Sequence, residues 1–334
     1  MRKSSGCLGI LLVLLLAVSL VVNVILFIAN KMKGRGVSGP VTFDEDYVSG
    51  AASASDKIVL IDLRGLIDSA GSGDYGADLV DDIRLQVEQA ARDRDVKGVV
   101  LRIDSPGGEV TASDEIYHYI SSLRDGGKPV TVYMESIAAS GGYYSALGGT
   151  YLMANPLSLT GSIGVILETF NVGDLLGKIG VRALVIKSGK MKDLLSPFRP
   201  ATPEELAYVQ GLINETYSRF VGLVAKERKL DEAKLRAGIA DGRVLSGAQA
   251  KDAGLVDGLG YFEDAVKKEQ ELCKLQKARL VQYVPPVNYG RLVKGLLASP
   301  IGHLKVELPG AATPAALPLR SGKFYYLPAS AVGY

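Results

Sequence analysis

The sequence predicts an α/β fold of parallel strands with a helical C-terminal part, preceded by one transmembrane helix. Three observations carry this. An uncharged run extends from Cys7 to Asn30, long enough for a spanning helix, which needs about 20 apolar residues. Between about residues 57 and 189, short apolar runs rich in β-branched residues alternate with amphipathic stretches, the pattern of parallel βαβ units. Those apolar runs lack polar alternation, as expected of strands whose two faces are both covered.

Each element follows in order. The N-terminal run is longer than a signal-peptide core of about 7–15 residues, and no small-residue cleavage pattern follows it. It reads as a retained anchor over residues 1–30. Arg2 and Lys3 flank one side, and Lys31, Lys33 and Arg35 the other, so charge alone does not orient it. Residues 31–56 are rich in Gly, Ser, Ala and Asp and read as a flexible linker. The folded part, residues 57–275, opens with the strand "KIVLIDLRG". Leu79, Ile83 and Val87 then recur four apart on an amphipathic helix. "KGVVLRID" is a buried strand, "VTASDEIYHYISSLRDG" a helix ended by Gly126, "KPVTVYMES" a strand and "SGGYYSALGG" a short helix. "TYLMAN" and "GSIGVI" read as short strands, "VGDLLGKIG" as helix and "VRALVIKSG" as strand. Thr202 caps a long helix, with Pro203 at its first position and Glu205 completing a capping box. Leu206, Val209, Ile213, Tyr217, Phe220 and Val224 give that helix one apolar stripe, the mark of a packing helix. A turn and two further helical pieces follow. Residues 276–334 form a tail, Ala- and Pro-rich in part and expected to be partly extended or disordered.

Composition excludes several classes. The formal net charge is +2, with both signs scattered along the chain, so no basic stripe marks a nucleic-acid partner. The two cysteines, Cys7 and Cys273, imply no disulfide framework. Paired Cys or His spacing, H-E-x-x-H, a Walker A loop and a post-strand G-x-G-x-x-G are all missing. No metal or other cofactor is expected.

Two segments hold groups suited to chemistry. In "RIDSPGGEVTASDEI" a strand is expected to end at Asp104, and Ser105, Pro106, Gly107 and Gly108 to turn into a helix. Backbone amides there suit an oxyanion hole, though an ordinary turn has the same composition. In "ESIAASGGYY", Ser140 follows a strand and opens a helix, the logic of a nucleophile elbow and equally of a serine N-cap. A serine needs a base. His118 and His303 are the only histidines, and neither sits at a strand end near Ser140. Lysine is the other recurring partner of serine, provided burial holds it neutral. Lys187, Lys190 and Lys192 follow the run "VRALVI", and the residues alone leave the choice among them open.

Four segments occur in one order: "RIDSPGGEVTASDEI", "ESIAASGGYYSALGGTYLMANPLSLTGSIGV", "KSGKMKDLLSPFRPATPEE" and "GRVLSGAQAKDAGLVDGLG". Together they resemble the signal peptide peptidase A family of serine peptidases, over roughly residues 57–264. The resemblance implies a Clp/crotonase-type fold of repeated ββα units and a Ser-Lys dyad. It implies Ser140 as nucleophile, Lys192 as general base, Ser162 as the residue that holds the lysine amine, and Gly107, Gly108 and Gly141 as oxyanion donors. A single copy of each element resembles the short form, which works as a homo-oligomeric ring with shared sites. Signal peptides and other membrane-associated peptides are the implied substrates. The catalytic domain is then expected on the extracytoplasmic side of a bacterial cytoplasmic membrane. The competing readings are a non-catalytic peptide-binding scaffold of the same fold and a crotonase-type acyl-CoA enzyme.

Overall fold

The computed structural model describes residues 42–69 and 79–284, the backbone of Tyr325–Tyr326, and four helical residues of the N-terminal run, Leu16, Ser19, Leu20 and Asn23. The rest of the expected anchor lies outside the described residues. Among the described residues no helix is long and apolar enough to cross a membrane. Contacts divide the chain into two units, and the description below concerns the unit holding Asp44–Val284 and Gly310–Tyr334.

The strands in chain order are β1 (Asp44–Gly50), β2 (Lys57–Ile67), β3 (Val96–Glu109), β4 (Val130–Ala139), β5 (Tyr151–Ala154), β6 (Leu159–Gly161), β7 (Val244–Ser246), β8 (Gly258–Leu259), β9 (Arg279–Val284) and β10 (Tyr325–Tyr326). The helices are α1 (Leu79–Arg92), α2 (Val110–Asp125), α3 (Gly141–Ala146), α4 (Gly173–Lys178), α5 (Pro203–Arg228), α6 (Glu232–Ala237), α7 (Gly247–Asp252) and α8 (Phe262–Leu272). The sheet runs β1-β9-β2-β3-β4-β5-β8. From β9 to β8 every neighbouring pair is parallel, and β1 closes one edge antiparallel to β9. The alternation of strands and helices therefore yields the expected α/β sheet.

Strand periodicity assigns the two faces. Ile58, Leu60, Val100 and Leu280 pack with Phe262 and Val266 of α8, and Tyr133 and Met153 pack with Ala265. Val59, Ile61, Leu63, Val99, Leu101, Ile103, Val132 and Met134 alternate with those residues and are all fully buried. They face the side where α3 meets Ile103. Each such side chain contributes about 1.5–3 kcal/mol on burial. That core holds the ends of β3 and β4 in place.

Several expectations need correction. Part of the expected linker, Asp44–Gly50, is a strand. All seven of its residues are exposed, so no apolar periodicity marks it. Its acidic composition serves a buried cation instead: Lys57, 5% exposed, has Glu45 and Asp93 each at 2.6 Å. The expected tail likewise begins with β9, which pairs parallel to β2. The "SPGG" stretch is not a turn. It continues β3, with Gly107 and Gly108 opposite Leu66 and Ile67. A side chain on Gly108 would collide with the Ile67 backbone, which explains glycine there. "VRALVIKSG" forms no strand, and it has no sheet neighbour among the described residues. Leu184 and Ile186 are 88% and 92% exposed. Finally, α5 buries only the C-terminal part of its stripe, around Phe220, Val221 and Val224, while Leu206 stays exposed.

Candidate active site

Ser140 sits where β4 meets α3, with φ 53° and ψ −114°. Positive φ on a residue other than glycine stores strain, of order 1–3 kcal/mol, and persists only when the surroundings enforce it. Here they do. The Ser140 amide donates to the Gly161 carbonyl at 2.8 Å, and its carbonyl accepts from the Tyr144 amide at 2.8 Å. The hydroxyl does not cap α3. Ser140 is fully buried and its Oγ has no hydrogen-bond partner among the described residues. Of the two readings of this serine, the structure removes the cap. α3 is itself pinned by its tyrosines. Tyr143 donates to the Leu255 carbonyl at 2.8 Å, and Tyr144 donates to Asp114 at 2.6 Å. Arg219 of α5 grips the same Asp114 through 2.8 and 2.9 Å bonds. Burial, helped by the Asp114 carboxylate, pushes the Tyr144 hydroxyl far above its ordinary pKa, so it stays a donor. Sequence patterns did not reveal Asp114 or Arg219, because their partners lie 30 and 105 residues away.

The glycine pair differs in its availability. The Gly107 amide donates to Ser105 Oγ at 3.1 Å. Gly108 N lies against Gly141, where an added methyl would meet it and Ser113 Oγ. Ser113 Oγ donates to the Glu109 carbonyl at 2.8 Å and braces the first turn of α2. The Gly108 and Gly141 backbones thus meet beside Ser140. Pairing of β3 with β4 ends at Ser105 and Ala138. Beyond that point, β10 lies antiparallel on β3, with Tyr326 opposite Gly108 and Tyr325 opposite Glu109.

Ser162 also belongs to this corner. It follows Gly161, is buried, and has φ 51°. Its amide donates to the Arg243 carbonyl at 2.8 Å. The three lysines do not reach the corner. Lys187 pairs with Asp193 at 2.5 Å and Lys190 with Glu204 at 2.7 Å. Lys192 is exposed and joins none of the ion pairs among the described residues. It is not a partner of Ser140 Oγ within one chain. His118 is exposed on α2 against Tyr119, and His303 lies outside the described residues. The fold therefore brings Ser140, Gly108 and Gly141 together, with Ser162 next to the Gly161 that holds the Ser140 amide, and no hydrogen bond joins Lys192 to Ser140 Oγ.

The model of peptidase family S49 matches residues 122–276. Putative protease MJ0651 of Methanocaldococcus jannaschii is 42% identical over 216 residues, 65% of this chain and 67% of its own length. Putative signal peptide peptidase SppA of Enterococcus faecium is 35% identical over 243 residues, 72% of this chain and 70% of its own. The chain belongs to peptidase family S49, the signal peptide peptidase A family. Protease 4 of Salmonella typhi, 38% identical over 226 residues, matches 68% of this chain but only 36% of its own length. As an S49 member the chain is a serine peptidase, which sets aside the scaffold and acyl-CoA readings.

Proposed function

We propose that this S49 peptidase is a membrane-anchored endopeptidase that degrades signal peptides and other membrane-associated peptides through a Ser140–Lys192 dyad. The observation that carries the reading is Ser140, whose backbone is strained and whose fully buried hydroxyl neither caps α3 nor bonds any described residue. A structural serine would gain about 0.5–1.5 kcal/mol from such a bond, so its omission fits a nucleophile. The Lys192 amine, oriented by Ser162, takes the hydroxyl proton as Oγ adds to the peptide carbonyl. The amides of Gly108 and Gly141 hold the oxyanion. Gly107, already bonded to Ser105, is left out of that role. The lysine returns the proton to the leaving amine, then activates water to release the acyl group.

Lys192 acts from a neighbouring copy in this reading. Support comes from its exposure, its absence from the ion pairs among the described residues, and the apolar side chains before it in sequence: Phe170, Leu175, Ile179, Leu184 and Ile186 are all exposed. A homo-oligomeric ring would cover that surface and complete each site. The mostly parallel sheet and the glycine pair Gly107–Gly108 near the end of β3 support a Clp/crotonase-type assignment of the fold. The anchor is assigned to residues 1–30, with the peptidase domain extended from residues 57–275 to include β1 and β9. The domain is placed on the extracytoplasmic face of a bacterial cytoplasmic membrane.

A serine-directed covalent inhibitor tests nucleophile and base together. Wild type should label at Ser140, and Lys192→Ala and Ser140→Ala should not. Mixing the two inactive variants into one oligomer should restore part of the activity. Undiminished labelling of Lys192→Ala would remove the lysine from the mechanism, and a demonstrated mixed oligomer with no activity would remove the shared site.

A further inference from the structure

The segment that carries Lys192 has little regular structure to hold it. Between α4 and α5 the described chain has turns and no helix or strand, and most side chains there are exposed or half-exposed. A general base must nevertheless be fixed to within about 0.5 Å of its productive position. The question is what fixes it.

One side chain spans the gap. Arg199 donates to both carboxylate oxygens of Asp193, the residue after Lys192, at 3.0 and 2.9 Å, and to the Asp193 carbonyl at 3.1 Å. The same guanidinium donates to both carboxylate oxygens of Glu205 at 2.8 and 2.5 Å. Glu205 is 2% exposed. It is also the third helical residue of α5, where it closes the capping box by accepting the Thr202 amide at 2.8 Å. The Arg199 fork thus ties the lysine's neighbour, by side chain and main chain together, to the first turn of a 26-residue helix. Farther along, the same helix grips Asp114 through Arg219. Bidentate arginine–carboxylate pairs add geometric definition as well as energy. The charges agree with this. Arg199, then Lys187, hold the Asp193 carboxyl well below the ordinary carboxylate range, and Arg199 with the Thr202 amide holds Glu205 at about 2. Both carboxylates stay ionised and engaged. Asp193, already shared by Arg199 and Lys187, is not paired with Lys192.

We propose that Arg199, clamped between Asp193 and Glu205, is the positioning residue that presents Lys192 to the active site. The proposal rests on Lys192 being the base, and the experiment separates the two. The full-length protein carrying Arg199→Ala, Arg199→Lys, Asp193→Asn, Thr202→Ala or Lys192→Ala is assayed for kcat and KM on a fluorogenic peptide. Oligomeric state and Tm are recorded for each. Thr202→Ala removes the hydroxyl that accepts the Glu205 amide but none of the bonds made by Arg199, so it measures what the start of α5 contributes apart from the guanidinium. Arg199→Ala is expected to lower kcat at least 100-fold with KM within about threefold and the oligomer intact. Arg199→Lys, which keeps the charge but not the fork, should recover only part of the loss, and free guanidinium ion at millimolar concentration should raise the kcat of Arg199→Ala. Asp193→Asn should fall between wild type and Arg199→Ala, and Thr202→Ala should stay within about threefold of wild type.

If Lys192→Ala is inactive while Arg199→Ala keeps wild-type kcat, the clamp is refuted and the dyad stands. If Lys192→Ala is fully active, the dyad itself fails. An equal loss of kcat in Thr202→Ala and Arg199→Ala, or a loss in Arg199→Ala that tracks dissociation of the oligomer, overturns positioning in favour of a purely structural role.

Discussion

At Ser140, stability and chemistry pull in opposite directions. The backbone there has φ 53°, which glycine adopts without strain. The buried hydroxyl has no bond to lose among the described residues. Ser140→Gly should therefore abolish hydrolysis and yet stabilise the fold. Relief of strain, less the extra chain entropy of glycine, leaves a gain on the order of 1 kcal/mol. For a domain of this size that is about 2–4 °C in Tm, readable by calorimetry. A fall in Tm would mean that the serine side chain is structurally needed. The sequence marked Ser140 by its setting between a strand and a glycine pair. It did not distinguish cap from nucleophile, because that difference lies in a dihedral angle and a missing bond. Likewise, composition treated Gly107 and Gly108 alike, and only the Ser105 hydroxyl separates their amides.

Among elements, α8 shows how a buried charge enters the stability of the sheet. Glu269 is fully buried beneath β3 and β4 and accepts from Thr131 Oγ1 at 2.6 Å. Burial, opposed only in part by the bonds from Thr131 and Cys273, pushes its carboxyl up to about 7. The folded chain thus holds this proton more tightly than the unfolded chain does. Its contribution is fully present below the ordinary carboxylate pKa, near 4.5, and is lost as pH rises through about 7. The loss is on the order of 3 kcal/mol. Glu269→Gln should flatten the Tm-versus-pH curve between about pH 4.5 and 7 and raise Tm at pH 8. An unchanged curve would show that Glu269 is ionised throughout. Legibility in the sequence varied by element for physical reasons. The Thr202–Glu205 capping box and the core strands β2, β3 and β4 are local patterns, and they were readable. β1 was not, since an edge strand with both faces wet carries no periodicity. "VRALVIKSG" has the composition of a strand without a partner among the described residues, and strand pairing is a non-local property.

For the whole molecule, the exposed apolar side chains Phe170, Leu175, Ile179, Leu184 and Ile186 are the surface on which the proposed ring is tested. If the proposed ring is built on this surface, replacing Leu184 and Ile186 together with glutamate should dissociate it in sedimentation experiments and remove activity. Both residues are almost fully exposed, so the Tm of the dissociated chain should move by less than about 1 kcal/mol equivalent. Retained assembly would place the subunit interface elsewhere. The end of β3 has a different kind of consequence. Past Ser105 it leaves β4 and offers its backbone to an antiparallel neighbour, the place that β10 takes at Gly108 and Glu109. A rim of that kind recognises peptide groups and not particular side chains. It admits only chain that is already unravelled, and a compact protein has none to offer. A hydrolase whose substrate lies along such a rim selects by conformation before it selects by sequence.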